Sequence, residues 1–263
     1  MAVNIQNITK IFINRRSETR ALADISFHVE DHEFVCIVGP SGCGKSTLLK
    51  IIADLTAPTS GEIDFDQPSP VDGIRCAMVF QEPALFPWMN VVENAAFGLE
   101  VQGTPRREAR RRARQYFDQI GLSEFHSNFP SELSGGMLQR VSIVRAILAD
   151  PQILLMDEPF GALDAQTRIV LQEELLRIWK LYKKTVLYVT HDIEEALLLA
   201  DRVIVLSGRP AHVRDILEIP EPRPERRSHP TWDRILERRE HIWRLIEDEV
   251  RRDLHVERKD ATQ

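Results

Sequence analysis

Gly39 to Thr47 reads GPSGCGKST, which fits the spacing G-x-x-x-x-G-K-[ST]. In that pattern backbone N–H groups surround a chain of phosphates, a lysine reaches the terminal ones and a hydroxyl ligates Mg²⁺. Gly39, Gly42 and Gly44 let the backbone approach an anion closely, and Pro40, Ser41, Cys43 and Thr47 complete the same loop. Lys45 supplies a charge that phosphate keeps protonated, and Ser46 supplies the metal-binding hydroxyl. Asp157 and Glu158 follow the apolar run ILLM, so both carboxylates emerge where a strand ends. An acid there can hold Mg²⁺ through its water shell, and a second acid can accept a proton from attacking water. Glu158 is the expected general base; the plainer alternative is that Asp-Glu-Pro caps the next turn. His191, in YVTHD after another apolar run, could hydrogen-bond a terminal phosphate or that water, or could be structural.

Leu133 to Arg140 reads LSGGMLQR. Ser134 can cap the helix that follows, while Gly135 and Gly136 in its first turn leave N–H groups uncovered by side chains, a second place for an anion. Two phosphate-binding helix starts in one chain suggest that two chains face each other and share each nucleotide.

The elements around these residues must be strands that end at the loops. Glu33 to Val38 is a short apolar run, and Ser46 to Leu55 has the apolar spacing of a partly buried helix, so the glycine loop sits in the context its motif requires. Ala77 to Phe80, Ile153 to Met156, Val186 to Val189 and Val203 to Leu206 are further buried-strand candidates separated by helical patterns. The alternation predicts an α/β core with a largely parallel sheet. Val91 to Ala149 is helical in pattern and predicts an inserted helical part at about 91–149. PEPRPERRSHP, from Pro220, predicts a linker, and Thr231 to about Val250 an amphipathic helix. The expected division is 1–218 for the main body and 219–263 for linker and C-terminal helix.

Length, charge and cysteine content narrow the function further. The chain has 263 residues, with 34 basic and 40 acidic side chains and a formal charge of −6. That balance gives no global reason to expect nucleic-acid binding. Cys36, Cys43 and Cys76 have no C-x-x-C spacing, which argues against a zinc site or a disulfide framework. No apolar run reaches the roughly 20 residues of a membrane-spanning helix, so a soluble chain is expected, with any membrane role requiring a partner.

With these motifs in order, the chain resembles the ATP-hydrolysing subunit of an ABC transporter, and within that family the nitrate/sulfonate/taurine/bicarbonate importers. The resemblance covers roughly Val3 to Arg214. It implies a P-loop NTPase fold of ABC type, with an antiparallel β subdomain and a helical subdomain beside the largely parallel core. It implies ATP and Mg²⁺ as ligands, with Gly39 to Thr47 as the phosphate loop and Phe12, in ITKIF, stacking on adenine. Gln81, in VFQEP, would contact Mg²⁺ and the water, and Leu133 to Gly136 would close over the ATP of the opposite subunit. Asp157 and Glu158 match the metal-associated acid and the base, Asp164 in GALD the loop that crosses the dimer interface, and His191 the switch histidine. The implied partners are a second copy, transmembrane permease subunits and, through the complex, an extracytoplasmic solute-binding protein, with no nucleic acid. The implied location is peripheral, on the cytoplasmic face of the cell (inner) membrane. The narrower assignment leans on FQEPALFPWMNVVENAAFGLE and VLSGRPAHV. Two departures from the family stand out: Met137-Leu138 in the signature, and Phe12 where Tyr or Trp is more usual.

Other segments remain open to two readings. PRREARRRAR, Pro105 to Arg114, is either a solvated helix face, with Glu108 placed to pair with Arg112, or a contact for anionic headgroups or acidic loops. Ala84 to Met89 is apolar and either packs in the core or, by resemblance, lines the groove for a permease helix. The rival class is an ABC-type ATPase acting on DNA or ribosomes; such relatives usually carry two cassettes or long coiled-coil insertions, which this chain lacks. The transported solute leaves no trace in a subunit that never touches it.

Overall fold

The computed structural model describes residues 1–14, 17–68, 74–222 and 232–260, without the side chains of 119, 232, 250 and 252–260. Most of the expected proline-rich linker falls on 223–231, outside the described residues. In chain order the elements begin with β1 (Val3–Asn14), β2 (Ser17–Val29), β3 (Phe34–Val38), α1 (Lys45–Ile52), β4 (Ser60–Phe65), β5 (Cys76–Val79), α2 (Val91–Val101) and α3 (Arg106–Gln119). They continue with α4 (Gly135–Leu148), β6 (Ile153–Asp157), α5 (Ala165–Tyr182), β7 (Thr185–Val189), α6 (Ile193–Leu199), β8 (Arg202–Leu206), β9 (Val213–Glu218) and α7 (Trp232–Asp260). They form two compact units, Met1–Gln67 with Thr185–Gln263, and Pro68–Lys184.

In the first unit β1 lies between β2 and β4, antiparallel to both. Beside this sheet, β3 lies between β7 and β8, parallel to both, in the register Phe34 with Val186 and Val35 with Arg202. Every residue of β3 and β7 is buried, and an unbroken apolar run without alternation is what a strand covered on both faces needs. β9 departs from the parallel expectation: it returns antiparallel to β8, and its alternation of half-buried and exposed residues is that of an edge strand. α1 also ends earlier than its apolar spacing predicts. Asp54 takes a left-handed φ of 58°, its N–H donating to Ile51 (3.0 Å) and that of Leu55 to Lys50 (2.9 Å), the paired bonds of a Schellman stop. α7 runs on past Val250 to Asp260 and buries Ile235, Ile242 and Ile246, packing on α6 and β8.

In the second unit β5 and β6 pair in parallel, Cys76 with Ile153 and Val79 with Met156. α2, α3 and α4 pack on one another. A capping box opens α2: the Asn90 side chain accepts from the Glu93 N–H (2.9 Å), and the Glu93 carboxylate accepts from the Asn90 N–H (3.1 Å). α3 buries Ala109, Ala113 and Phe117 along one stripe. Its arginines are largely engaged locally. Arg110 and Arg106 reach Glu93 at 2.6 and 3.6 Å, and Arg111 and Arg112 reach Glu108 at 2.7 and 2.9 Å. The predicted Glu108–Arg112 pair is therefore present, and this pairing favours the solvated-face reading of the basic segment. Cys36, Cys43 and Cys76 are all free thiols. Among the described residues no helix is long and apolar enough to cross a membrane.

Candidate phosphate-binding and catalytic residues

The first unit carries the glycine loop, between the end of β3 at Val38 and the start of α1 at Lys45. The loop wraps its own lysine. Lys45 is 4 % exposed, and its Nζ donates to the carbonyls of Gly39 and Pro40, 2.9 Å each. The Pro40 carbonyl also accepts from the Cys43 N–H (3.3 Å), and the Gly42 carbonyl accepts from Arg209 Nη2 (2.5 Å). Glycine is required at two points for different reasons. A Cβ on Gly39 would come within 2.9 Å of the Leu206 carbonyl oxygen on β8, and Gly44 has a φ of 120°. Gly44 is also the N-cap of α1 and brings no side-chain cap, so the positive end of the helix opens onto the loop, where an anion is favoured. Cys43 fills the floor of the loop; burial pushes its thiol up, against the pull of the neighbouring Lys45 charge, so it sits there as an apolar group rather than a nucleophile.

His191 leaves the same end of the same sheet. β3 and β7 are parallel neighbours, with Ile37 opposite Val189, so the loop after β3 and the turn after β7 emerge together. The residues on either side of His191 are tied down. Thr190 donates from its N–H to Ile37 (3.2 Å) and from its hydroxyl to Glu195 Oε2 (2.5 Å). Asp192 caps α6 by accepting from the Glu194 and Glu195 N–H groups (2.9 and 3.1 Å). His191 itself is exposed and lines a cavity of about 610 Å³ with Asp192, Ile193, Glu194, Arg239, Glu240 and Trp243. Phe12 sits near the tip of the β1–β2 hairpin, opposite Thr19, with an exposed ring that Lys10 approaches to 5.1 Å from its centroid.

The second unit carries the acids and the glutamine. β5 and β6 run parallel, so Gln81, just past β5, and Glu158, just past β6, leave their strands at the same end. Asp157 is the last residue of β6 and is buried. Glu158 has a φ of 44°, a strained value for a residue with a long side chain, and such outliers gather at functional sites. Its carbonyl accepts from the Gly161 N–H (3.1 Å), closing a turn. A methyl group on Gly161 would lie 3.6 Å from Glu158 Oε2 and 3.7 Å from Gln81 Nε2, so the two side chains border one small space.

Ser134 caps α4, its hydroxyl accepting from the Met137 N–H (3.4 Å). Gly135 is free of close neighbours, while a Cβ on Gly136 would lie 3.0 Å from Thr167 Cγ2, so a side chain at Gly136 would crowd α5. Asp164 caps α5 by accepting from the N–H groups of Gln166 (3.1 Å) and Thr167 (3.0 Å), and those bonds hold its carboxyl below the usual range. The loop Ala84 to Met89 is organised by a residue that sequence reasoning did not single out. Asn94, fully buried, accepts from the Phe86 N–H (2.8 Å) and donates to the carbonyls of Phe86 (3.0 Å) and Met89 (2.9 Å). Its signal was an amide inside the apolar helix VVENAAF. Phe86, half-buried, packs edge-on against Phe97 at 4.8 Å, whereas Trp88 is 70 % exposed, and no residue of the loop is fully buried. Arg209 was also missed; only its contact with Gly42 reveals it.

Ser46, Gln81 and Asp157 offer a hydroxyl, an amide oxygen and a carboxylate. Hard oxygen donors of this kind suit Mg²⁺, which takes few protein ligands when it binds alongside phosphates.

The profile of the family described as ABC transporter matches residues 22–161. The chain is 48 % identical over 220 residues to the nitrate import ATP-binding protein NrtD of Synechocystis sp., spanning 83 % of each chain. It is 42 % identical over 240 residues to the aliphatic sulfonates import ATP-binding protein SsuB of Bacillus cereus, spanning 89 % of this chain and 93 % of that one. Among solved structures it is similar to the dimeric ATP-binding cassette MJ0796 bound to ADP and Pi. That similarity has a TM-score of 0.74 and 32 % identity, over 84 % of this chain and all of the other.

Proposed function

This chain belongs to the ABC transporter family, and on that premise we propose that it is the ATP-binding, ATP-hydrolysing subunit that drives solute import through a membrane permease. The observation that carries the proposal is the glycine loop built around buried Lys45 and opening onto the uncapped start of α1. Lys45 and the first N–H groups of α1 bind the phosphates, Ser41, Gly42 and Thr47 complete their cradle, and Phe12 offers its exposed ring to the base. Ser46, Asp157 and Gln81 supply oxygen ligands suited to Mg²⁺, whose chemistry when bound is to neutralise phosphate charge. Glu158 takes the proton from attacking water, and His191 holds the water or the terminal phosphate in place.

The same premise extends to assembly. Two copies pair so that Ser134, Gly135 and Gly136 of one contact the nucleotide held by the other, with Asp164 in the loop that meets the partner. The dimeric state of the cassette MJ0796 supports this arrangement. ATP stabilises the closed dimer and its products do not, so the nucleotide shifts a permease between two states. Residues 1–218 would form the ATPase body and 219–263 its appendage. The subunit would lie on the cytoplasmic face of the membrane, with a solute-binding protein outside. Relatives named for nitrate and sulfonate import point to a small solute of the nitrate, sulfonate, taurine or bicarbonate kind, and away from a role on DNA or ribosomes.

Purified chain should hydrolyse ATP only with Mg²⁺ present, and Glu158→Gln should keep ATP binding while losing ~10²-fold or more in turnover. Equal turnover in parent and variant would remove Glu158 as the base. ATPase assays of the reconstituted complex against a panel of oxyanions and sulfonates would identify the solute.

A further inference from the structure

Arg209, within VLSGRPAHV, and Glu249 were given no role by the sequence, yet they form a continuous set of contacts from the C-terminal helix to the glycine loop. Arg209 stands on the short connection between β8 and β9, and that connection is fixed from three sides. Ser207 closes it from within: its N–H donates to the His212 carbonyl (3.0 Å), and its hydroxyl meets His212 Nδ1 (2.8 Å). Ala211 exchanges backbone hydrogen bonds with β2, donating to Ala21 (2.9 Å) and accepting from Ala23 (2.8 Å). From α7 comes the third contact, Glu249, whose carboxylate accepts from the Gly208 N–H. The fit there is close: a Cβ on Gly208 would lie 3.3 Å from Glu249 Cδ. Arg214 holds the other carboxylate oxygen at 2.8 Å, and Glu249 is only 12 % exposed, one turn beyond buried Ile246.

From this base the Arg209 guanidinium donates to the Gly42 carbonyl (2.5 Å). The peptide between Gly42 and Cys43 is planar, so its carbonyl and its N–H cannot turn independently. Arg209 takes the carbonyl and Pro40 takes the N–H at 3.3 Å, so the plane is pinned at both ends, beside a glycine with a φ of 69°. Nothing in the motif supplies the first of these two pins.

We propose that Arg209 is a positioning residue for nucleotide binding: it holds the Gly42–Cys43 peptide in its phosphate-ready orientation, and α7, through Glu249 on Gly208, holds Arg209 in place. The inference rests on the assignment of Gly39 to Thr47 as a nucleotide phosphate loop. Without the pin, binding must also order the loop, and that cost appears as weaker affinity.

The test is the affinity of the purified full-length chain for a fluorescent ATP analogue and for ADP, together with thermal unfolding of the nucleotide-free proteins. Arg209→Ala should weaken both nucleotides by about three- to tenfold, the net worth of one ordinary hydrogen bond. Arg209→Lys, which keeps a cationic donor, should recover a substantial part of that loss. Glu249→Gln should weaken binding in the same direction by a smaller factor, and it reads the inference independently if Arg209→Ala does not fold. Parent-like affinity in Arg209→Ala, or in Glu249→Gln where the alanine variant does not fold, would overturn the inference and leave the nucleotide assignment standing. A loss matched by a lower unfolding midpoint, with no rescue by lysine, would overturn it equally. A parent chain that binds no ATP analogue would overturn both.

Discussion

The Glu158 carboxylate and the Gln81 side-chain amide border the same space beside Gly161, 3.6 and 3.7 Å from where a methyl group on that glycine would sit. Both distances are ordinary contacts, so one methyl group fits and a larger branch must push the two side chains apart. Gly161→Ala should keep turnover within about threefold of the parent, while Gly161→Val should lose ~10-fold to 10²-fold with the protein still folded. Steady-state ATPase rates and circular dichroism melts check both halves.

Glu158 holds a φ of 44°, where a side chain is strained and glycine is not. Removing the carboxylate in two ways separates strain from chemistry. Glu158→Gly and Glu158→Ala should be equally inactive, yet the glycine variant should be the more stable by about 1 kcal/mol, the reverse of the usual order. Urea unfolding of the two variants side by side gives the difference directly; an alanine variant as stable as the glycine one would refute it.

Asn94 joins Phe86 and Met89 to α2 with its whole amide, and Trp88 is the exposed residue on the loop so held. Asn94→Ala leaves buried loop groups unpaired and should cost about 2–4 kcal/mol. Trp88→Ala should leave basal hydrolysis and unfolding unchanged but weaken co-purification with the permease. Undiminished co-purification would rule out this loop as the docking surface.

The α2 capping box should make stability depend on pH through Glu93. The Asn90 N–H and the nearby Arg110 hold its carboxyl below the ordinary value of 4.5. A depressed carboxylate contributes fully above its unfolded pKa and loses that contribution as pH falls through the lower folded value. Glu93→Gln should therefore be less stable than the parent by about 1 kcal/mol at pH 7. The gap should narrow when denaturant curves are repeated below pH 4.

The parts of the site that depend on consecutive residues were legible before any coordinates. The run EFVCIV, the glycine loop and the apolar spacing after it become β3, the loop and α1, because each is specified by local sequence alone. Where a side chain serves a local and a proposed distant role, the local one is not equally legible: the Ser134 cap was expected from its place before a helix, whereas the Asp164 cap appears only in the structure. The strain at Glu158 left no mark, because no residue type announces a positive φ except glycine and, less often, Asn or Asp. Arg209 and Gly42 are far apart in the chain, and a lone arginine after a strand carries no periodicity or spacing to link them. Asn94 lay within reach of the sequence, since a buried amide demands partners. The edge strand β9 was missed because VRDILE has the alternation of a half-exposed strand rather than a continuous apolar run.

β3 takes one neighbour from Thr185–Val189 and the other from Arg202–Leu206, and the whole of Pro68–Lys184 is made before either. A ribosome adding about 5–20 residues per second therefore releases the glycine loop long before the strands that flank it exist. Until Leu206 has emerged, Phe34 to Val38 is an apolar strand with both edges bare, and the carbonyl that presses on Gly39 has not been made. A chain cut before Leu206 therefore leaves β3 without β8 and the glycine loop without the backbone that lies behind Gly39.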